Sequence, residues 1–202
     1  AIADKTRARD RLAETGGTFL DAPISGTTAM LEAGTASLYV GGDAAAYKRC
    51  LPTIEAITGS CFQVGVVGDA SRMKYLANYL VFVHTVAAAE CMALGKKAGL
   101  DPAVIHEVLN AGAGMSRMLE TRGARMVSAD YRDGETRIYD VYRKDAAVIT
   151  AFAAELAAAI DLVTAGAAKF ELAMARGLDH LGLASVCKAA EEAAGVDRPM
   201  AG

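Results

Sequence analysis

The sequence is poor in the usual signatures of bound metal, bound phosphate and nucleophilic catalysis. Its three histidines, His84, His106 and His180, show no metal-ligand spacing, and no cysteine falls near enough in sequence to complete a zinc site. The four cysteines, Cys50, Cys61, Cys91 and Cys187, form no Cys-x-x-Cys pair and follow no secretory leader. That usage fits buried thiols in a reducing, cytoplasmic setting. No serine sits in a Gly-x-Ser-x-Gly elbow, and neither Gly-x-Gly-x-x-Gly nor a Walker-type loop occurs. A net charge of −3 and a pI near 5.7 provide no basic field, so nucleic acid and anionic membrane are poor partners and a small metabolite is the better default. The most apolar run, Tyr75 to Ala89, is broken by Asn78, His84 and Thr85 and is shorter than the ~20 residues of a membrane span. An initiator methionine is missing as well. The chain enters helical periodicity at once, with Ile2, Ala8 and Leu12 among charges, as expected of a segment of a larger protein.

What is present is ample apolar material: 202 residues, 53% hydrophobic, are enough for one large domain or two small ones. The first third reads as a helix to about Thr15, a strand over Thr18–Ala22, a strand over Ser37–Val40 closed by Gly41-Gly42, and a helix capped by Asp43. A third short strand follows over Cys61–Val64. Helix, strand, strand, helix, strand is the pattern of a piece of an α/β layer. Beyond Gly68 every signal is helical. Met73, Leu76, Leu80, Val83, Ala87 and Leu94 recur at helical spacing over about Asp69–Ala98, Gly99 is the expected stop, and Asp101-Pro102 restarts the helix. Further helices are predicted near Met115–Ser128, Tyr139–Ala159, Val163–Arg176 and Leu183–Ala194. There is no internal repeat and no low-complexity linker.

Four places have chemical potential. Lys74 and Asn78, four residues apart on the predicted long helix, stack on one face ~6 Å apart along the axis. An amine and a carboxamide aimed at one spot suit proton transfer at an oxygen, although the same spacing also describes an ordinary polar helix face. Ser25-Gly26-Thr27-Thr28 follows a strand end, where backbone N–H groups and hydroxyls can form a nest for a carboxylate or simply turn the chain into a helix. Lys144-Asp145 lies in a predicted helix, where a charged pair is usually solvated. Ala111-Gly112-Ala113-Gly114 is a flexible break that either approaches a ligand or is a loop.

Taken in order, Phe19-Leu20-Asp21-Ala22-Pro23-Ile24-Ser25-Gly26, Val40-Gly41-Gly42-Asp43, Lys74 with Asn78, Ala98-Gly99-Leu100-Asp101-Pro102 and Lys144-Asp145 resemble the β-hydroxyacid dehydrogenase family. This group contains 3-hydroxyisobutyrate dehydrogenase and tartronate semialdehyde reductase and is akin to 6-phosphogluconate dehydrogenase. The resemblance runs from about Thr18 to Gly195. It implies α/β plus all-α architecture: residues 1–67 as the C-terminal part of a dinucleotide-binding Rossmann-like domain, then a long connecting helix opening an all-helical domain over 68–202. It also implies that the strand, glycine-rich turn and helix holding the dinucleotide pyrophosphate lie outside these residues, so that this chain alone is inactive.

The implied reaction is reversible oxidation of a small β-hydroxy acid by NAD or NADP. Lys74 matches the catalytic lysine, and to act as a base near neutral pH it needs burial or neighbouring cations to lower its pKa from about 10.4. Asn78 matches the asparagine that hydrogen-bonds substrate, and Ser25, Gly26 and Thr27 fall at the carboxylate-binding turn. Lys144 matches a lysine near the cofactor, with Asp145 its companion. Thr27 stands where many relatives carry a second glycine, which adds a side chain and hydroxyl at the carboxylate turn, so substrate choice stays open; separately, Gly182 stands where an acidic residue is frequent. The resemblance further implies a homodimer or homotetramer. A different class of reading keeps the fold without the chemistry: a non-catalytic helical dimerisation module.

Overall fold

The structure, a computed structural model, describes residues 1–132 and 142–200. It divides into two compact units, Ala1–Ala77 and Asn78–Gly202, and the division falls inside one long helix.

The first unit runs α1 (Ile2–Ala13), β1 (Leu20–Asp21), β2 (Ile24–Ser25), α2 (Thr28–Glu32), β3 (Ser37–Gly42), α3 (Ala44–Glu55) and β4 (Ser60–Gly65). Strand β3 is central, with β4 parallel on one side and β1 and β2 antiparallel on the other. The pairs Leu20↔Gly42, Asp21↔Gly41, Ile24↔Leu38 and Ser25↔Ser37 keep one register. Strands β1 and β2 are therefore two halves of a single edge strand, interrupted at Pro23, which has no N–H to give. The Pro23 carbonyl still accepts from Tyr39 N at 3.2 Å. Leu38, Val40 and Ile54 form a small core, with Leu20, Tyr47 and Cys61 packed against it. Asp43 caps α3 as its position predicts, accepting from Ala46 N at 2.7 Å.

Helix α4 (Asp69–Lys97) is unbroken. It stops where Gly99 adopts φ 84°, a left-handed turn that glycine enters without a Cβ penalty. Asp101 and Ser116 then cap α5 (Pro102–Asn110) and α6 (Arg117–Ser128) through Ala103 N and Leu119 N. A π-helical turn at Tyr142–Ala146 leads into α7 (Ala147–Glu155), followed by α8 (Asp161–Ala175), a 3₁₀ turn at Leu183–Ser185 and α9 (Val186–Ala193). Phe82, Met92, Met126, Phe170 and Cys187 lie in the core of this unit. The Phe82 and Phe170 rings stand 4.8 Å apart, and a Cβ at Gly166 would come within 2.9 Å of Phe82 Cε1, so glycine allows α8 to approach α4. By length and composition α4 is able to cross a membrane. Here its Phe82, Val86, Ala89 and Met92 face the helical core.

Three expectations change. The helix predicted over 139–159 has its first three residues outside the described ones, begins as a π turn and ends at Glu155, before Ala157 takes φ 50°. The last predicted helix opens as a 3₁₀ turn. The thiols are not uniformly buried: Cys187 is, Cys61 is half-buried beside the Tyr47 hydroxyl, and Cys50 and Cys91 lie on exposed helix faces. Cysteine is small enough to sit on a solvent face at little cost, so composition alone misplaces it.

Candidate functional site

The start of α4 is fixed from several directions within the first unit. Gly65 has φ 138°, and a Cβ there would run into the Asp69 carboxylate. That carboxylate accepts from Val66 N at 2.9 Å and from Arg72 Nη1 at 2.6 Å, closing the first turn. Gly68 has φ 102°, and a Cβ there would lie 2.9 Å from Ile2 Cγ2, so α1 packs directly on this turn.

The strongest anchor comes from β1. The Asp21 carboxylate is fully buried, and every polar contact it makes is a donor aimed at it. Gly68 N and Ser71 N donate to Oδ2 at 3.1 and 3.0 Å, the Ser71 hydroxyl lies 2.9 Å from Oδ2, and Lys5 Nζ reaches Oδ1 at 2.5 Å. Two orphan amides of a helix N-terminus are thus satisfied by an anion from a distant strand, where the helix dipole also favours negative charge. Burial alone would raise this carboxyl's pKa. The bonds from Lys5 and Ser71 outweigh it and leave the group below the usual carboxylate range. Sequence reasoning missed this role of Asp21, because its partners lie up to 50 residues away.

Lys74 and Asn78 both lie on α4 and are both half-buried, and the unbroken helix keeps them one turn apart on one face. Ser25, Gly26 and Thr27 share the first unit with Lys74, whereas Asn78, Lys144 and Asp145 belong to the second. Ser25 ends β2, and Gly26 takes φ 155° with Ala36 Cβ 3.0 Å from where its own Cβ would be. Thr27 is the N-cap of α2: its hydroxyl oxygen accepts from Met30 N at 3.3 Å. The turn is thus a strand-to-helix connection, and the hydroxyl keeps its proton for a further acceptor. Lys144 stands on the π turn with its side chain 82% exposed and its ammonium 4.0 Å from the better covered Asp145 carboxylate.

Two further features lie in the second unit. A mostly apolar cleft of about 310 Å³ is lined by His84, Cys91, Leu109, Met115 and Ser116, with Gly114 of the predicted flexible break at its edge. A buried charge cluster joins Lys96, Glu191 and Arg198. Both cations pair with Glu191 Oε1, Lys96 Nζ also donates to Met126 O at 2.9 Å, and Arg198 donates to Met126 O and Val127 O at 2.6 and 2.7 Å. The cluster closes the C-terminal end of α6, and burial pushes the adjacent Cys187 thiol up to about 11. Among the described residues no group of histidine, cysteine and carboxylate side chains is arranged to hold a metal ion.

Comparison with known proteins covers both units. A family profile described as the NAD-binding region of NADP-dependent 3-hydroxyisobutyrate dehydrogenase matches residues 68–190, and one described as the NAD-binding domain of 6-phosphogluconate dehydrogenase matches residues 1–65. L-threonate dehydrogenase of Cupriavidus necator is 36% identical over 140 residues, 69% of this chain and 46% of that protein. The 2-hydroxy-3-oxopropionate reductase of Escherichia coli is 36% identical over 121 residues, 60% of this chain and 41% of its own length. Among solved structures, 3-hydroxyisobutyrate dehydrogenase from Salmonella typhimurium superposes with a TM-score of 0.83 at 27% identity, covering 93% of this chain and 66% of that one. The chain spans about half the length of the curated relatives it matches.

Proposed function

Because the chain belongs to the β-hydroxyacid dehydrogenase family, we propose that it carries the proton-handling and substrate-binding part of an NAD- or NADP-dependent oxidoreductase acting on the hydroxyl group of a small hydroxy acid. The observation that carries this reading is the placement of Lys74 and Asn78 one turn apart on an α4 whose first turn is locked by Asp21. Preorganised groups of this kind contribute to catalysis because no reorganisation remains for the moment of reaction.

In this reading Ser25, Gly26 and Thr27 receive the substrate carboxylate, and Asn78 donates to the substrate oxygen. Lys74 takes the hydroxyl proton in oxidation and returns it, as an ammonium, to the forming alkoxide in reduction. A bound nicotinamide dinucleotide supplies the hydride acceptor or donor. The donor set fits one part of such a cofactor: the Lys144 ammonium faces solvent and can meet an anionic or carbonyl oxygen, with Asp145 beside it. The sequence contains no phosphate-cradling glycine turn, and no residue of this chain is assigned to the pyrophosphate. The finer substrate assignment is a 3-hydroxyisobutyrate-like β-hydroxy acid, with Thr27 adding a methyl and a hydroxyl at the carboxylate turn. Exposed Leu94, Leu100, Val104, Val108 and Met115 on the helical unit support assembly as a homodimer or homotetramer.

The test is a turnover assay of the complete gene product with NAD and NADP against 3-hydroxyisobutyrate, L-threonate and glycerate, followed by nicotinamide absorbance. Oxidation of at least one acid is expected. No turnover with any of them, by protein that binds the dinucleotide, would remove the hydroxy-acid assignment.

A further inference from the structure

The Asp21 network does more than satisfy a helix end, because of where its parts lie along the chain. Ser71, which gives Asp21 both its amide and its hydroxyl, stands three residues before Lys74 on α4. At 1.5 Å rise per residue the two are neighbours on one helix surface, ~4.5 Å apart along the axis. On the other side, Asp21 and Ser25 belong to the same edge strand, held in one register against β3 by the pairs at Gly41 and Ser37. A strand advances ~3.3 Å per residue, so the four residues from Asp21 to Ser25 form a fixed spacer of ~13 Å. The carboxylate is thus the joint between a strand ending at the substrate turn and a helix bearing the acid/base. Four donors converge on it from two helices, and it is fully buried.

We propose that Asp21 is a positioning residue: its buried carboxylate sets the axial and rotational placement of α4 against the β1–β2 edge, and thereby where Lys74 stands relative to Ser25 and Gly26. This rests on the reading of Lys74 as the acid/base. Chemistry requires reacting groups to meet within a fraction of an ångström, and a misplacement of about 1 Å can reduce turnover roughly 10²-fold. The Lys5 ammonium, 36% exposed, neutralises the carboxylate at Oδ1 and also donates to the Ser71 hydroxyl at 2.8 Å, so α1 adds a second, weaker tie to the same turn of α4.

Two substitutions separate position from charge. Asp21→Glu keeps the anion and its pairing with Lys5 but moves the carboxylate outward by one methylene. Asp21→Asn keeps the length and an oxygen for the Gly68 and Ser71 amides but removes the charge. Measured on folded, complete protein below its unfolding temperature, Asp21→Glu is expected to lower kcat at least about ten-fold more than Asp21→Asn, with KM for the hydroxy acid within about three-fold of wild type. Equal kcat in both variants and wild type would leave Asp21 a purely structural group and overturn the proposal. A larger loss in Asp21→Asn would make charge the operative property and overturn it also. Lys74→Ala run beside them keeps the two claims apart. Its inactivity with an unaffected Asp21→Glu sinks the positioning role alone, whereas its full activity sinks the acid/base reading and the positioning role with it.

Discussion

Glu191 offers the sharpest stability test in the helical unit. Its side chain is 0% exposed, and one oxygen pairs with both Lys96, itself 5% exposed, and Arg198, 23% exposed. Glu191→Gln preserves shape and volume while removing the only carboxylate that the described residues bring to these two cations. The ammonium and guanidinium keep their bonds to Met126 O and Val127 O, but neutral carbonyls do not balance two buried charges. Breaking a buried pair by neutralising one partner destabilises by about 3–5 kcal/mol. Arg198 can relax toward water, so the lower figure applies, and at roughly 2–4 °C per kcal/mol for a chain of this size the melting temperature falls by about 6–12 °C. The assay is urea and thermal unfolding of the 202-residue chain followed by helical circular dichroism, whose signal the second unit supplies in large part. Replacing Glu191 and Lys96 together by Leu and Met should recover part of the loss, because it removes the more deeply buried cation with its partner and leaves only Arg198, at 23% exposure, without a carboxylate. A Glu191→Gln variant within about 1 kcal/mol of wild type would refute the claim that these charges depend on one another in a dry environment.

Acid stability reports on Asp21. Its folded pKa lies below the unfolded value of about 3.9, so its contribution is fully present above that value and is lost as pH falls through the lower, folded one. Urea midpoints of Asp21→Asn should therefore be lower than wild type above about pH 4 and converge with it in stronger acid; parallel curves would contradict this. Thiol labelling reports on the core: Cys50 and Cys91 should react with a disulfide reagent in the native state, while Cys187, buried and with its pKa near 11, should react only on unfolding. Fast native labelling of Cys187 would mean that the core around α9 is open.

Much of the architecture was legible because its signals are local. Asp43, Asp101 and Ser116 cap helices through amides two or three residues on, and Gly99 stops α4 through its own φ, so short-range chemistry decides each. The long period over α4 is visible for the same reason. What stayed hidden depends on residues distant in sequence. Asp21 was one letter of a motif until Gly68 and Ser71 were seen to donate to it, and Arg198 carried no signal for capping carbonyls of α6. The π turn at Lys144 inserts a wider turn without a distinctive sequence, and the single register of β1 and β2 is masked by Pro23. In the candidate site, the Lys74 and Asn78 spacing was readable directly, whereas the capping role of Thr27 required knowing that α2 begins there.

Lys74 is the centre of the proposed chemistry, and kcat of the complete protein with Lys74→Ala tests it most directly. Loss of a group that moves a proton in the transition state lowers turnover roughly 10²–10⁴-fold. The variant is expected to keep its helical spectrum and its dinucleotide affinity while losing turnover by that factor. Turnover equal to wild type, in protein of the same fold and affinity, would show that the proton passes elsewhere.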